Sequence, residues 1–492
     1  MLIASVNIEL YRYEIHSLIK AFYPEEDVKV LVEGAPVKGA GREEAARTAP
    51  FMTVHFSPDL LQAALPGTDL CFSGKAGEEP FDRKGRECKT VLKHLVYDIL
   101  SAYTGRHLPW GELIGIRPTK IAMQRLLEGD SREEAAEFMI REHKASREKA
   151  LLAADIAERE KEILSGIHYE NGYSLYVGIP FCPTTCLYCS FTSFPIGAWT
   201  KRVDEYLEAL EKEIEAGAAL MEGKILDTVY MGGGTPTTLE PDQLDRLIRA
   251  LKAHFPMENL QEFTVEAGRP DSITPEKLRV LKEHGVTRIS VNPQTMRNET
   301  LKLIGRRHSV EQTEEAFRMA REAGFDNINM DIILGLPGEN EEDVAYTIDR
   351  IRALDPDSLT VHSLAVKRAS RLQQWIEKNG YAEINNTDEG MKIAAAGAAD
   401  MDMKPYYLYR QKNMSGNFEN VGYAREGKYG IYNILIMEEK QSILALGAGS
   451  ISKAVFPGGR IERSDNCKDI DTYISTIDEM IARKVRLYGQ TS

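Results

Sequence analysis

From Tyr173 onward the sequence alternates between short apolar, β-rich segments and longer segments of helical periodicity. The β-rich segments are YSLYVGIPF, DTVYMGGG, EFTVEAG, RISVNPQ, NINMDIILGLP and SLTVHSLA. Amphipathic stretches such as PDQLDRLIRALKAHF separate most of them. Parallel neighbouring strands need long, usually helical connections, so this alternation predicts a parallel sheet with crossover helices. Six such units over about 200 residues predict an α/β fold with a partial (β/α)6 barrel, and the chemistry belongs after its strands.

The chain divides by pattern into four regions, with the predicted barrel at 169–380. Residues 1–90 predict a small α/β domain, because MLIASVNIEL and APFMTVHFSP alternate as strands do and LYRYEIHSLIKAFY is spaced as a helix. Residues 91–168 predict a helical connector. Residues 381–492 predict a C-terminal α/β region with an N-terminal helix, the strands YNILIM and SILALGAG, and a final helix.

Helix boundaries are legible in the predicted connector. Ser131 and Ser146 each precede a Glu-rich stretch, which is typical of a helix N-cap, and Gly129 stands where a helix ends. These signals support separate helices there.

Charge and terminal composition exclude several classes of protein. Lys and Arg number 61 against 75 Asp and Glu, a formal charge of -14, which argues against a nucleic-acid-binding protein. No apolar run approaches the roughly 20 residues of a membrane span, and the first residues lack the pattern of a signal peptide. We therefore expect a cytoplasmic protein without a membrane span, and we expect a monomer.

Three of the six cysteines form a motif directly after the first barrel strand. Cys182, Cys186 and Cys189 stand as C-x3-C-x2-C in PFCPTTCLYCSF. Random placement of six cysteines would give this pattern about once in a thousand chains. Thiolates so spaced suit an iron-sulfur cluster, and three ligands would leave one of four irons open. A structural zinc site, which would want a fourth ligand, and a redox disulfide stay as alternatives.

Polar and glycine residues follow the other predicted strands. The segment Gly232–Pro236 comes after the second strand, and glycines there allow close approach of backbone to a ligand. Glu266 ends the third strand, Gln294 the fourth, and Arg306 lies beyond it, while Asp331 sits inside an apolar run where burial would be costly without partners. The alternatives are a tight turn for the glycines, and helix caps or solvent-facing groups for the others.

These motifs resemble the radical S-adenosylmethionine (SAM) superfamily, and within it the oxygen-independent coproporphyrinogen III oxidases. The resemblance runs through LYVGIPFCPTTCLYCSF, MGGGTPT, VEAGRPD, RISVNPQT, LIGRRH and MDIILGLPGE, and the outer segments resemble the long branch with an N-terminal extension. It implies a radical SAM barrel, a [4Fe-4S] cluster and SAM as cofactors, and the catalytic metal ligands Cys182, Cys186 and Cys189. It implies these SAM contacts: Tyr176, Tyr188, Gly233, Gly234, Thr235, Glu266, Gln294, Arg306, Asp331, Ala365 and Ile451.

The family's reaction implies further partners. An adenosyl radical takes a hydrogen from the β-carbon of a propionate, and the substrate radical then loses carbon dioxide and one electron to leave a vinyl group. The resemblance therefore implies coproporphyrinogen as tetrapyrrole substrate, an electron donor such as a flavodoxin or ferredoxin, and an electron acceptor. Candidate cations for the anionic tetrapyrrole are Arg307, Lys367, Arg368, Arg410 and Lys412. Tyr406, Tyr407 and Tyr409 are candidates for a tetrapyrrole-facing wall, with core packing as the alternative.

One residue departs from the pattern of the oxidases. A fourth cysteine stands two residues after the third ligand in the branch that most securely oxidises coproporphyrinogen, whereas this chain has Phe191. The C-x-F ending is shared with the haem-chaperone branch. A haem chaperone on the same scaffold, or another radical reaction on a tetrapyrrole, is therefore the competing prediction.

Overall fold

The computed structural model describes most of the chain and separates it into two compact units. The described residues are 1–34, 49–57, 59–75, 86–115, 117–366, 370–380, 384–410 and 415–489. The first unit comprises Met1–Asp155 with Arg410–Phe418, and the second comprises Ile156–Tyr409 with Glu419–Ser492. No described helix combines the length and the apolar character that a membrane crossing requires.

The first unit contains a five-stranded sheet in the order β2-β1-β3-β4-β5. Its strands are β1 Leu2–Val6, β2 Val28–Val32, β3 Met52–Phe56, β4 Leu60–Ala64 and β5 Cys71–Lys75. β1 is parallel to β2 and β3, whereas β3, β4 and β5 pair antiparallel. Its helices, the last of which continues into the second unit, are Arg12–Phe22, Arg86–Thr104, Thr119–Leu127, Arg132–His143 and Arg147–Ile163. Apolar side chains of the first two helices and of the sheet form one buried core.

The predicted helix boundaries are present. Ser131 forms a capping box with Glu134, and the hydroxyl of Ser146 accepts from the backbone N–H of Lys149 at 3.2 Å. Gly129 has a φ of +105°, a conformation that glycine adopts without strain at a helix end. The division into four regions stays a prediction.

The second unit is built on an eleven-stranded sheet. Its strand order is β14-β15-β13-β12-β11-β10-β9-β6-β16-β17-β18, and β7 pairs with β8 separately. The central strands are β6 Gly172–Ile179, β9 Ile225–Gly233, β10 Glu262–Glu266, β11 Arg288–Ser290, β12 Ile328–Leu334 and β13 Ser358–Ser363, with β7 Phe181–Cys182 and β8 Phe194–Pro195 between the first two. The outer strands are β14 Lys404–Tyr409, β15 Asn420–Ala424, β16 Ser442–Leu446, β17 Ile451–Val455 and β18 Ile461–Asp465.

The six predicted barrel strands lie side by side, parallel and in chain order. Strand β6 is buried along nearly its whole length, as expected for a parallel strand covered on both faces. The connecting and flanking helices are Val203–Leu220, Pro241–His254, Pro275–Glu283, Asn298–Leu303, Val310–Glu322, Glu341–Leu354, Leu372–Asn379, Asp388–Asp400, Ile431–Glu438, Ile470–Ser475 and Ile477–Tyr488. The alternating pattern thus predicted the core of this unit correctly, and the carboxyl ends of all six strands share one edge.

One strand prediction in the C-terminal region is wrong. YNILIM lies in the helix Ile431–Glu438, where Tyr432, Leu435 and Glu438 are buried at helical spacing. A short apolar run has no periodicity that separates a buried strand from a buried helix, which is why the sequence misled. Conversely, the polar stretch before it contains two strands, β14 and β15, and β15 extends the sheet by pairing antiparallel with β13.

Candidate functional site

Several of the predicted site residues lie at the carboxyl edge of the six parallel strands. The Tyr230 hydroxyl of β9 donates to the Glu266 carboxylate of β10 at 2.6 Å. Gln294, which follows β11, donates its backbone N–H to the carbonyl of Asp331 at 2.9 Å. Strand ends that are distant in the sequence therefore meet in one place, as the topology requires.

The three predicted cluster ligands lie on one loop, Cys182–Cys189, which we call the cluster loop. All three thiols are free of disulfides. The Thr235 hydroxyl lies 3.5 Å from the sulfur of Cys182, and the guanidinium of Arg269 lies 3.8 Å from that of Cys186. Hydroxyl and guanidinium donors at this distance stabilise a thiolate more than a thiol.

The thiols are close enough to influence one another. Burial, with a smaller contribution from the neighbouring Cys186 and Cys182, raises the pKa of the Cys189 thiol to about 11. Burial likewise raises the pKa of Cys182, with a smaller contribution from Cys186. Metal binding to these sulfurs would therefore have to release protons.

The arrangement does not suit a single metal ion. Among the residues that the structure describes, no three His, Cys, Asp or Glu side chains are placed to hold one ion. A mononuclear zinc site needs its ligands to converge on one point. An iron-sulfur cluster binds each thiolate through a different iron, so three sulfurs on one loop fit a cluster better than zinc.

The glycine segment after β9 is packed against the start of the cluster loop. Gly234 donates its N–H to the carbonyl of Ile179 at 2.7 Å, and Thr235 donates to that of Phe181 at 2.7 Å. A Cβ on Gly234 would meet the Phe181 oxygen at 2.5 Å. Gly233 has a φ of +106°, which favours glycine. The segment is therefore hydrogen-bonded to the chain that leads into the cluster loop. A simple tight turn would not need these contacts.

Two carboxylates with different electrostatics line the strand ends. The pKa of Glu266 is raised to about 7, chiefly by burial; the Tyr230 hydrogen bond opposes the rise and the nearby charge of Asp331 adds to it. Burial also acts to raise the pKa of Asp331, but His362 and the amide of Asn329, 2.6 Å away, hold it below its usual value. Near neutral pH, Asp331 is ionised and Glu266 is divided between its two forms.

Arg306 lies beside the cluster loop. Burial works against its charge, but Tyr188 and Cys186 raise its pKa above the usual value. Its guanidinium donates to the carbonyl of Asn292. Among the described residues, the Nε of Arg306, the side-chain oxygen of Asn292 and the hydroxyl of Ser290 are buried without a hydrogen-bond partner. Orphaned polar atoms at the strand ends fit a site that takes a polar ligand such as SAM.

Two tyrosines that were not predicted, Tyr230 and Tyr432, form one wall of the site together with the predicted Tyr176. The ring centroid of Tyr176 lies 6.2 Å from that of Tyr230 and 6.2 Å from that of Tyr432, and the rings are stacked. The centroids of Tyr230 and Tyr432 lie 4.5 Å apart. Tyr230 carried a signal, because it stands in a strand that ends in the glycine segment. Tyr432 carried no such signal, because it lies in the segment that was wrongly predicted to be a strand.

The two remaining predicted SAM contacts lie at less central positions. Ala365 is half-buried just after β13, and Ile451 begins β17 with 55% of its surface exposed. Neither makes a contact here that assigns it a role, so both stay predictions.

The predicted tetrapyrrole contacts are distributed unevenly. Arg410 belongs to the first unit, where it donates to the carbonyls of Leu113 and Asn417. Lys367, Arg368 and Lys412 lie outside the described residues. Tyr406 and Tyr407 pack in a buried apolar cluster of the second unit, as the core-packing alternative expected. In contrast, Tyr409 places its hydroxyl 3.2 Å from the Nδ1 of His362, beside Asp331.

Comparisons with known proteins show what this chain is similar to. Residues 176–351 match the family described as the Radical SAM superfamily. The oxygen-independent coproporphyrinogen-III oxidase-like protein HemZ of Bacillus subtilis is 38% identical over 471 residues, which cover 95% of this chain and 89% of that protein. The heme chaperone HemW of Bacillus subtilis is 33% identical over 310 residues, covering 62% of this chain and 76% of that protein. Coproporphyrinogen III oxidase (HemN) from Escherichia coli, a radical SAM enzyme, aligns in structure with a TM-score of 0.51 and 25% identity, covering 65% of this chain and 73% of its own.

Proposed function

Because this chain belongs to the radical SAM superfamily, and within it to the family of oxygen-independent coproporphyrinogen-III oxidase-like proteins, we propose that it oxidatively decarboxylates coproporphyrinogen III to protoporphyrinogen IX. Membership confirms the resemblance, the α/β fold and the two cofactors predicted from the sequence, a [4Fe-4S] cluster and SAM. A cytoplasmic location and a monomeric state stay predictions.

The observation that carries the proposal is the combination of three free thiols on the loop after β6 with two half-buried carboxylates, Glu266 and Asp331, on β10 and β12 of the same sheet. Cys182, Cys186 and Cys189 would hold the cluster and leave one iron for SAM. When bound, the cluster and SAM supply an adenosyl radical that removes a hydrogen atom from a substrate propionate. The protein's own part is to hold the ligands at the carboxyl edge of the sheet and to keep water away from a radical formed there.

We assign the charged side chains at this edge to different groups of SAM according to their charge. Asp331, ionised at neutral pH, suits the ribose hydroxyls as a hydrogen-bond acceptor. Glu266 suits the α-ammonium and Arg306 the carboxylate of the methionine part. The stacked rings of Tyr176 and Tyr230 close one side of this space. These assignments are part of the proposal.

An anaerobic assay tests the reaction. Reconstituted protein is incubated with SAM, a reductant, an electron acceptor and coproporphyrinogen III, and carbon dioxide and porphyrin products are measured after oxidation. We expect two carbon dioxide molecules for each divinyl product. SAM cleavage without any loss of propionate would reject decarboxylation while retaining the superfamily assignment.

A haem chaperone is the second candidate. It is favoured by the similarity to HemW and by Phe191, which replaces the fourth cysteine and has 71% of its surface exposed. Stoichiometric haem binding followed by transfer to a recipient apoprotein, with no decarboxylation in the anaerobic assay, would favour this function. A Phe191→Cys variant that gains decarboxylation activity would likewise support a chaperone function for the parent chain.

A further inference from the structure

A cavity of about 950 Å³ opens beside the cluster loop. The segments Pro183–Thr185 and Gly305–Ser309 line it, and Lys302 and Arg371 lie at its wall. These segments are bonded together, since the Thr184 hydroxyl donates to the carbonyl of Gly305 at 2.8 Å. The cavity is thus built into the outer side of the cluster loop.

The described residues that line the cavity carry positive charge, whereas the chain as a whole is acidic. Lys302, Arg307 and Arg371 are exposed, and none of the three forms an ion pair with a carboxylate in the described part of the chain. Arg371 donates to the carbonyl of Thr185. No Asp or Glu is among the described residues that line the cavity. Although the formal charge of the chain is -14, three exposed cations without a carboxylate partner among the described residues lie together beside the cluster loop.

The cavity reaches the proposed ligands from outside the strand-end site. Pro183 follows Cys182 and Thr185 precedes Cys186, so its wall is one residue from two sulfurs. Of the predicted SAM contacts, only Arg306 lines it. A substrate that reacts with the adenosyl group must sit at the strand ends, so an occupant of this cavity gains access to the cluster without access to the radical.

We propose that the cationic surface of Lys302, Arg307 and Arg371 docks an acidic one-electron carrier protein. This inference rests on the cluster assignment of the proposed function. The reduced carrier gives one electron to the [4Fe-4S]²⁺ cluster, which becomes [4Fe-4S]⁺ as the carrier is oxidised by one electron, and no bond is made or broken. Opposite charge accelerates such an encounter by about 10- to 1000-fold, and salt screens it.

Stopped-flow reduction of the reconstituted holoprotein without substrate tests the proposal. The probe is reduced plant-type [2Fe-2S] ferredoxin, with a potential near about -400 mV. Formation of the reduced cluster is followed by rapid-freeze electron paramagnetic resonance. We expect the Lys302→Gln and Arg307→Gln double variant to lower the second-order rate constant about tenfold at low salt, with the difference vanishing above about 0.5 M salt.

Two controls separate docking from other effects. Lys212→Gln, an exposed cation on the helix Val203–Leu220, should leave the rate unchanged. The methyl viologen radical, which is a cation, should reduce the parent and the double variant equally fast, and this also shows that the cluster is intact. Failure to assemble a reducible cluster would refute the proposed function itself.

Two results would overturn the docking inference. One is an equal ferredoxin rate, with equal salt dependence, for the parent and the double variant. The other is an unchanged ferredoxin rate together with lost binding of the stable oxidised porphyrin coproporphyrin III, measured by fluorescence. That second result would make the cavity a site for a small polycarboxylate.

Discussion

Glu266 gives the sharpest test of the SAM site, because its carboxyl titrates in the experimental range. Its pKa of about 7 follows mainly from burial, reinforced by the charge of Asp331 and opposed by the hydroxyl of Tyr230, the N–H of Gly233 and the charge of His362. If its carboxylate binds the α-ammonium of SAM, only the ionised form provides the charge-assisted contact. SAM should therefore bind more tightly as pH rises through 7.

The expected magnitude follows from the ionised fraction. With a pKa of about 7, Glu266 is about 9% ionised at pH 6.0 and about 76% ionised at pH 7.5, a ratio of about eightfold. This corresponds to about 1.2 kcal/mol of binding free energy. The pH range stops at 7.5, because an α-ammonium group has a pKa of about 7.7 to 8.0 and above that range most of the ligand would have lost this proton.

Anaerobic equilibrium dialysis with radiolabelled SAM measures the dissociation constant on oxidised, reconstituted holoprotein, which does not cleave the ligand. The parent should lose about eightfold in affinity from pH 7.5 to pH 6.0, whereas Glu266→Gln should bind weakly at both. Glu258→Gln, at an exposed position, should follow the parent. A Glu266→Gln variant with the parent's affinity and slope would refute the assignment of Glu266 to the ammonium.

Three further predictions concern the same edge of the sheet. Gly234→Ala should lower the free energy of unfolding by about 1 to 3 kcal/mol in urea denaturation, because its Cβ would meet the carbonyl of Phe181 at 2.5 Å; unchanged stability would mean that the backbone yields freely. Asp331→Asn should weaken SAM about tenfold in dialysis while iron content stays at the parent level, and a loss of iron would instead give Asp331 a role in the cluster. Cys186→Ala should lose most iron and sulfide on reconstitution, whereas Cys71→Ala, at an exposed and isolated thiol, should retain them; equal iron in both would remove Cys186 from the ligand set.

The parallel strands were predictable because helical connections of regular length leave few other topologies. Once the strands are parallel, their carboxyl ends must share an edge, so Glu266 and Asp331 could be placed together without knowing any contact. The sequence did not reveal that the two would titrate so differently. That difference depends on His362, which reaches Asp331 from the neighbouring strand β13, and on Asn329, which stands two residues before it on β12.

The C-terminal region was harder to predict because its strands and helices pack against partners that are far away in the sequence. Strand β16 pairs parallel with β6, and β15 pairs antiparallel with β13, so segments of this region extend both sides of the barrel strands. Tyr432 faces Tyr176 from a helix that an apolar run alone could not distinguish from a strand. Local pattern therefore identified the sheet but not the elements that complete it.

A buried charge network shows what this region contributes to the site. The carboxylate of Glu213 is fully buried and accepts from the N–H of Gly447 at 2.7 Å, the amide of Asn466 at 2.7 Å and the ammonium of Lys484 at 2.5 Å. Removing one partner of a buried ion pair leaves an uncompensated charge, so this arrangement is costly to disturb. It fixes the loop that begins at Gly447.

That loop supports both ends of the cluster loop. A Cβ on Gly447 would meet the carbonyl of Gly178, at the end of β6, at 2.3 Å, and a Cβ on Gly449 would meet the hydroxyl of Thr192 at 2.4 Å. Gly178 precedes Cys182 by four residues and Thr192 follows Cys189 by three. Contacts this close leave no room for the flanks of the cluster loop to move toward Gly447 and Gly449. The C-terminal region therefore holds the cluster loop in place through a carboxylate and an ammonium 271 residues apart.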